Sequence, residues 1–331
     1  MLQPENSAHP EDILQVRQTP SGTEHSIQPL FREVFGHELS PAMLHWKYAQ
    51  GRGVSWGGWD STGRLIVHCG LFSRTVLAGG QQRRIVQLGD LMAATGGRGG
   101  LARRHSPFYQ LVMPIIGGLS TRENPDALAF GFPSDRAMRL GEHLGLFRTI
   151  DQMYELVFLP LPPRCCGYES ILAEKIDDTT ERVLGRLWQQ MAAGFSSGLI
   201  GVRDPAYLRH RYAHHPEYTY RCYLVCSFWL RRTIGAFIIK GEGASLEMMD
   251  IIAPLNQIAS VIRAAREWLT ASGSHQLTLW LASSHTALLA DQAESITPLE
   301  FRIMANPLTP ADVLTRFDRR WWLTSGDTDY R

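Results

Sequence analysis

The sequence lacks a charge imbalance, a cysteine framework and a long apolar run. Lysine plus arginine number 33 against 32 aspartate plus glutamate, so no overall field draws the chain toward nucleic acid. The five cysteines, Cys69, Cys165, Cys166, Cys222 and Cys226, are odd in number and sit at no metal-binding spacing. Adjacent Cys165 and Cys166 cannot serve as a CxxC clip, and Cys222 and Cys226 fall on one face of a strand-like apolar run as small hydrophobes. No metal is expected, and a reducing cytoplasm fits this cysteine usage best. The N-terminal stretch has no basic region followed by an apolar core, so export is not expected. The longest uncharged stretch, 105–121, is broken by Pro107, Pro114 and Gly117-Gly118 and falls short of the ~20 residues of a membrane helix, so no membrane span is expected. Low-complexity tracts are absent as well.

What is present suffices for two cores. The chain has 331 residues, of which 44% are hydrophobic, and roughly 150 residues make a domain. The halves resemble each other. SPAMLHWKYA (Ser40 to Ala49) recurs as DPAYLRHRYA (Asp204 to Ala213), in register at a separation of 164 positions. Each copy opens on a capping residue followed by proline at the first helical position, where a missing N–H costs nothing. Downstream, the strand-like runs around Gly70 and Gly235 pair, as do VQLGDLMAA (Val86 to Ala94) and SLEMMDIIA (Ser245 to Ala253), which match Asp90 to Asp250. Helix, strands and an Asp-bearing strand in one order point to duplication of a whole domain. The proline-rich LPLPPRCC places the boundary so that the domains are 1–163 and 164–331.

Periodicity in the first copy predicts the order β-α-α-β-β-β-α-β-α-β, a mixed α/β sheet without the strict alternation of a doubly wound fold. In the second copy it predicts helices over 179–195, from Asp204, over 255–269 and over 286–292. Strands are expected there over 218–228, 233–240, 245–253, 276–282 and 299–305.

The pieces LHWKYA (Leu44 to Ala49), LRHRYAHHP (Leu208 to Pro216), GDLMAATGGRGG (Gly89 to Gly100), FGFPSDRAMRLGEHLGLF (Phe130 to Phe147) and WWLTSGDTDY (Trp321 to Tyr330) together resemble the GNAT superfamily of acyl-CoA N-acyltransferases, in its tandem two-domain form. The resemblance implies two GNAT-like folds and direct transfer of an acyl group, acetyl in the first instance, from acyl-CoA to a primary amine. In that family a strand runs into a glycine-containing turn at a helix start, whose amides grip the coenzyme A pyrophosphate. Amides and dipole at a helix start favour an anion, and glycines admit the phosphates to the backbone. The matching positions are Gly96, Gly97, Arg98, Gly99, Gly100, Arg103, Arg104 and Ser106. The spacing departs from the family pattern, because Arg98-Gly99-Gly100 lacks the usual intervening residue. The second copy has DIIAPLNQIAS there, with neither glycine nor arginine, and is expected to bind no coenzyme A.

The resemblance further implies an oxyanion donor on the motif strand, the amide of Met92 or Ala93. Asp90 on that strand is a candidate base, although its echo at Asp250 favours a structural role. The tyrosine that protonates the leaving thiolate in many members aligns with Gly141. Tyr109 and His143 are substitutes by position. A small amine such as an amino sugar is the expected acceptor. The alternative is a lapsed GNAT-like binding or scaffold protein, motivated by the missing tyrosine and the irregular loop.

Overall fold

A computed structural model of the chain describes residues 14–20, 22–94, 104–119, 128–162, 167–229 and 231–328. The chain packs as two units, 1–72 with 88–118 and 73–87 with 119–331.

The first unit contains β1 (Gln15–Gln18), α1 (Gln28–Phe35), α2 (Pro41–Tyr48), β2 (Gly53–Trp59), the first part of β3 (Leu65–Ala78), the last part of β4 (Gln81–Ala93) and most of α3 (Pro107–Leu119). α1 ends at Gly36, whose φ of 76° suits the left-handed cap that glycine takes without steric cost. α2 starts as its sequence predicts: Ser40 Oγ accepts from the Met43 amide at 3.1 Å, with Pro41 following. β1 and β2 pair antiparallel, as do β2 and β3 from Gly53↔Phe72 to Trp59↔Leu65. Ile27, Leu30, Phe31, Leu44, Tyr48, Trp59, Phe72 and Met92 form this unit's core. A side chain at Gly70 would put its Cβ 2.5 Å from the Tyr48 hydroxyl, so glycine lets the helix ring lie on β3.

The second unit holds the remaining parts of β3 and β4, then β5 (Ala129–Gly131), α4 (Asp135–His143), β6 (Arg148–Phe158), β7 (Tyr168–Ala173), α5 (Asp178–Ala193), β8 (Leu199–Gly201), α6 (Pro205–Leu208), β9 (Tyr220–Ser227) and β10 (Arg232–Lys240). β11 (Ser245–Ile252), α7 (Ile258–Ala271), β12 (Gln276–Ala282), β13 (Ser295–Ala305), α8 (Ala311–Phe317) and β14 (Trp321–Trp322) complete it. The strand order from β5 is β5-β13-β6-β12-β11-β10-β9-β7. The last strands of the two halves of the sequence are therefore exchanged. β13, which closes the second repeat, lies between β5 and β6, and β6, which closes the first, pairs with β12. α5 and α7 cover one face through Leu184, Leu187, Met191, Val261, Ile262 and Leu269.

Most predicted elements lie where periodicity placed them, with four differences. β7, β8, α8 and β14 were not anticipated. The helix predicted from Asp204 is one α-turn, α6, continued by a wide π turn over Arg209–Ala213. The helix predicted over 286–292 is instead a 3₁₀ segment, Ser283–Leu288. There the Asp151 carboxylate accepts from the hydroxyls of Ser283 and Ser284, an attachment that anchors a tight turn and not an extended helix. The strand expected from 299 begins at Ser295.

Candidate functional site

β4 does not run straight. Asp90 has φ of 45°, which few residues other than glycine, asparagine and aspartate tolerate. Three side chains from α2 and β3 hold it. Lys47 Nζ pairs with Asp90 Oδ1, the Tyr48 hydroxyl donates to Asp90 Oδ2 at 2.7 Å, and His68 Nδ1 donates to the Asp90 carbonyl at 2.8 Å. With Nδ1 carrying the proton, His68 Nε2 accepts from Ser55 Oγ at 2.8 Å, and Ser55 in turn bonds Thr19 Oγ1 at 3.0 Å. Burial lowers the pKa of His68 against the smaller raising effects of its bond to Asp90 and of that carboxylate, so the ring is neutral. Lys47, Asp90, His68, Ser55 and Thr19 are all buried. Both Asp90 carboxylate oxygens thus have donors within a closed network.

Beyond Asp90 the strand carries Met92, whose side chain is in the core, and half-buried Ala93. α3 then opens on Ser106, whose Oγ accepts from the Tyr109 amide at 3.3 Å. Phe108, Leu111, Val112, Ile115 and Ile116 seat the helix through one apolar stripe. The first unit therefore contains Asp90, Met92, Ala93, Ser106, half-buried Tyr109 and exposed Arg104. Gly96, Gly97, Arg98, Gly99, Gly100 and Arg103 lie outside the described residues. His143 belongs to the other unit, exposed in the last turn of α4. Among the described residues no cluster of three or more His, Cys, Asp or Glu side chains is placed to hold a metal.

Sequence reasoning missed Lys47, Tyr48 and His68 as holders of β4. A signal for two of them existed, since Lys47 and Tyr48 align with Arg211 and Tyr212. The second unit repeats the bond: Tyr212 donates to Asp250 Oδ2 at 3.2 Å, beside a bulge in the β10–β11 register. The cation differs. Arg203 Nε bonds Asp250 Oδ1 at 2.8 Å, while Arg211 Nε turns to the Gly326 carbonyl at 2.9 Å. β11 and β12 pair in parallel only from Ser245↔Gln276 to Met248↔Leu279. Past that point residues 323–327 of the same chain bond both strands. The Ala282 amide donates to Leu323 O at 3.1 Å, Thr324 Oγ1 reaches Asp250 at 3.3 Å, and Gly326 lies against the Met249 carbonyl. Trp321, Trp322 and Leu323, an apolar cluster near this end of the sequence, are buried. At Pro254 the second copy continues as a 3₁₀ turn, and proline brings no N–H donor.

Gly141 is closed to any side chain. A Cβ there would lie 1.9 Å from Phe147 Cδ2, and the Gly141 carbonyl accepts from the Leu146 and Phe147 amides, which fixes that ring in place. Gly141→Tyr should therefore destabilise the protein by about 1–3 kcal/mol through overpacking and restore no acid. Chemical denaturation of the variant checks this, and an unchanged midpoint would contradict it.

No protein-family model matches the sequence, and no curated protein matches it. Solved structures do match, and they define the fold as that of the GCN5-related N-acetyltransferases. One, the GCN5-related N-acetyltransferase from Anabaena variabilis, is 13% identical over 89% of this chain and 73% of its own, with a TM-score of 0.65. A GCN5-related glucosamine N-acetyltransferase region in a fungal multi-domain GH3 β-N-acetylglucosaminidase is 12% identical over 90% of this chain and 38% of that one, with a TM-score of 0.59. N-myristoyltransferase from Saccharomyces cerevisiae, with myristoyl-CoA bound, is 10% identical over 89% of this chain and 82% of its own, with a TM-score of 0.52. The chain has the GNAT fold.

Proposed function

We propose that the chain is an acyl-CoA-dependent N-acyltransferase working from its first copy. The observation that carries this reading is the kinked β4, locked at Asp90 and followed along the chain by the glycine- and arginine-rich segment and the capped start of α3. Backbone amides and a helix dipole suit the coenzyme A phosphates, and Arg98, Arg103 and Arg104 add charge. The acceptor amine attacks the thioester carbonyl, the C–N bond forms as the C–S bond breaks, the amine gives up one proton, and the departing thiolate takes one up to leave as the free thiol. A backbone amide of Met92 or Ala93 supports the oxyanion, at about 2.7–4 kcal/mol per donor in comparable sites. Asp90, with both oxygens engaged, holds the strand. Tyr109 and His143 are the positional candidates for the acid that Gly141 and Phe147 exclude.

Domains 1–163 and 164–331 arose on this reading by duplication, supported by the matched Tyr48–Asp90 and Tyr212–Asp250 bonds. The second copy binds no cofactor, because residues 323–327 fill the gap beside β11 and β12 and no phosphate loop follows. A small amine is the acceptor and acetyl-CoA the first donor to try. The glucosamine N-acetyltransferase likeness is in keeping with an amino sugar, and the cysteine usage with a cytoplasmic protein.

Calorimetric titration of acetyl-CoA tests the reading. Replacing Gly99 and Gly100 by valine should weaken binding at least tenfold, about 1.4 kcal/mol, whereas Leu255→Ala should leave it unchanged. The absence of heat with millimolar acetyl-CoA would leave the second reading, a GNAT-fold binding protein without catalysis, which the closed Gly141 position favours.

A further inference from the structure

The turn between β9 and β10 carries the largest exposed aromatic group of the described chain. Trp229 is 88% exposed and Phe228 54%. A buried tryptophan is ordinary, whereas one projecting from a hairpin tip calls for an explanation. The tip is not slack. The Phe228 amide donates to the Gly167 carbonyl at 3.1 Å, Arg231 takes a left-handed φ of 45°, and the Trp229 indole lies over Gly167, where a Cβ would come within 3.0 Å of Nε1. Arg231 and Arg232 follow after one further residue, Leu230, and both are exposed. Among the described residues, exposed Glu169 of β7 faces this end of the hairpin, opposite Cys226 of β9.

We propose that this tip is a peripheral docking point for an anionic lipid surface. Two aromatic side chains of about 150–250 Å² each cannot approach the ~800 Å² per partner of a stable protein interface. The same side chains suit the boundary between acyl chains and headgroups, where an indole places its apolar body inward and its N–H toward water. Two exposed guanidinium groups near them match lipid phosphate and carboxylate. No helix among the described residues is long and apolar enough to cross a membrane. This docking point is independent of the acyltransfer reading.

Flotation of the full chain with vesicles tests it. The protein should float with mixed phosphatidylcholine–phosphatidylserine vesicles, less with phosphatidylcholine alone, and less again at high salt. The double variant Phe228→Ala with Trp229→Ala should lower the bound fraction about tenfold with its thermal transition unmoved. Arg231→Ala with Arg232→Ala should abolish the preference for phosphatidylserine. Three outcomes would overturn the proposal: no flotation of the wild type, undiminished flotation of the aromatic variant, or light scattering that shows Trp229→Ala dissolving a dimer while vesicles bind neither form.

Discussion

Arg203→Met is expected to cost about 3–5 kcal/mol, the usual result of stranding the partners of a buried charge. Arg203 is fully buried, with Nε on Asp250 Oδ1 at 2.8 Å, Nη2 on Asp327 Oδ2 at 2.6 Å and Nη1 on the Gly201 carbonyl at 2.8 Å. Burial alone would lower its pKa, but the two carboxylates outweigh that and hold the guanidinium charged. Asp250 feels the converse: burial first, then Asp327, push its pKa up against the pull of Arg203. Methionine fills much of the volume yet leaves two carboxyl groups facing each other without a cation. It also frees the segment 323–327, since Thr324 and Asp327 are tied to the same guanidinium. Thermal unfolding should shift down by roughly 10 °C. A midpoint within a degree or two of wild type would mean that the segment is held by Trp321 and Trp322 alone.

Asp90→Ala is expected to be as costly, about 3–5 kcal/mol, for two separable reasons. It leaves the Lys47 ammonium and the Tyr48 hydroxyl buried without their carboxylate. It also asks alanine to hold a φ of 45°, which aspartate and asparagine accept more readily. Asp90→Asn should lose less, because it keeps the backbone tolerance and an oxygen for Tyr48. Denaturant midpoints and, on the proposed acyltransferase function, acetyl-CoA turnover should fall together across the two variants if Asp90 holds the strand. A stable Asp90→Ala protein with turnover abolished would instead make the carboxylate a base and contradict the assignment.

The likeness of the two helix starts was legible because it is a matter of local chemistry. Ser40-Pro41 and Asp204-Pro205 are start signals that act within one helical turn, and both cap as their residue types require. Tyr48, Tyr212, Asp90 and Asp250 were visible as matched positions, but not as hydrogen-bonded pairs, since a bond between residues about 40 positions apart depends on how α2 meets β4. His68 illustrates the limit. A lone histidine near an apolar strand is more often a satisfied structural residue than a base, but its partners are not legible in sequence, and here Ser55 and the Asp90 carbonyl take both ring nitrogens. At Gly141 the sequence shows the absence of a tyrosine, and only packing adds that Phe147 has taken its space.

By itself the sequence determined the element order of the first copy, the doubled helix-and-strand pattern, the GNAT resemblance and the burial of Trp321 to Leu323, because caps, periodicity and apolar clusters act over short spans of chain. Tertiary structure alone decided that β6 and β13 change places, that Arg203 and not the aligned Arg211 neutralises Asp250, and that residues 323–327 occupy the gap beside β11 and β12. An alternating pattern states that a segment is a strand and which face it buries, but not which edge accepts it. That choice belongs to backbone amides and carbonyls, which every residue but proline offers alike.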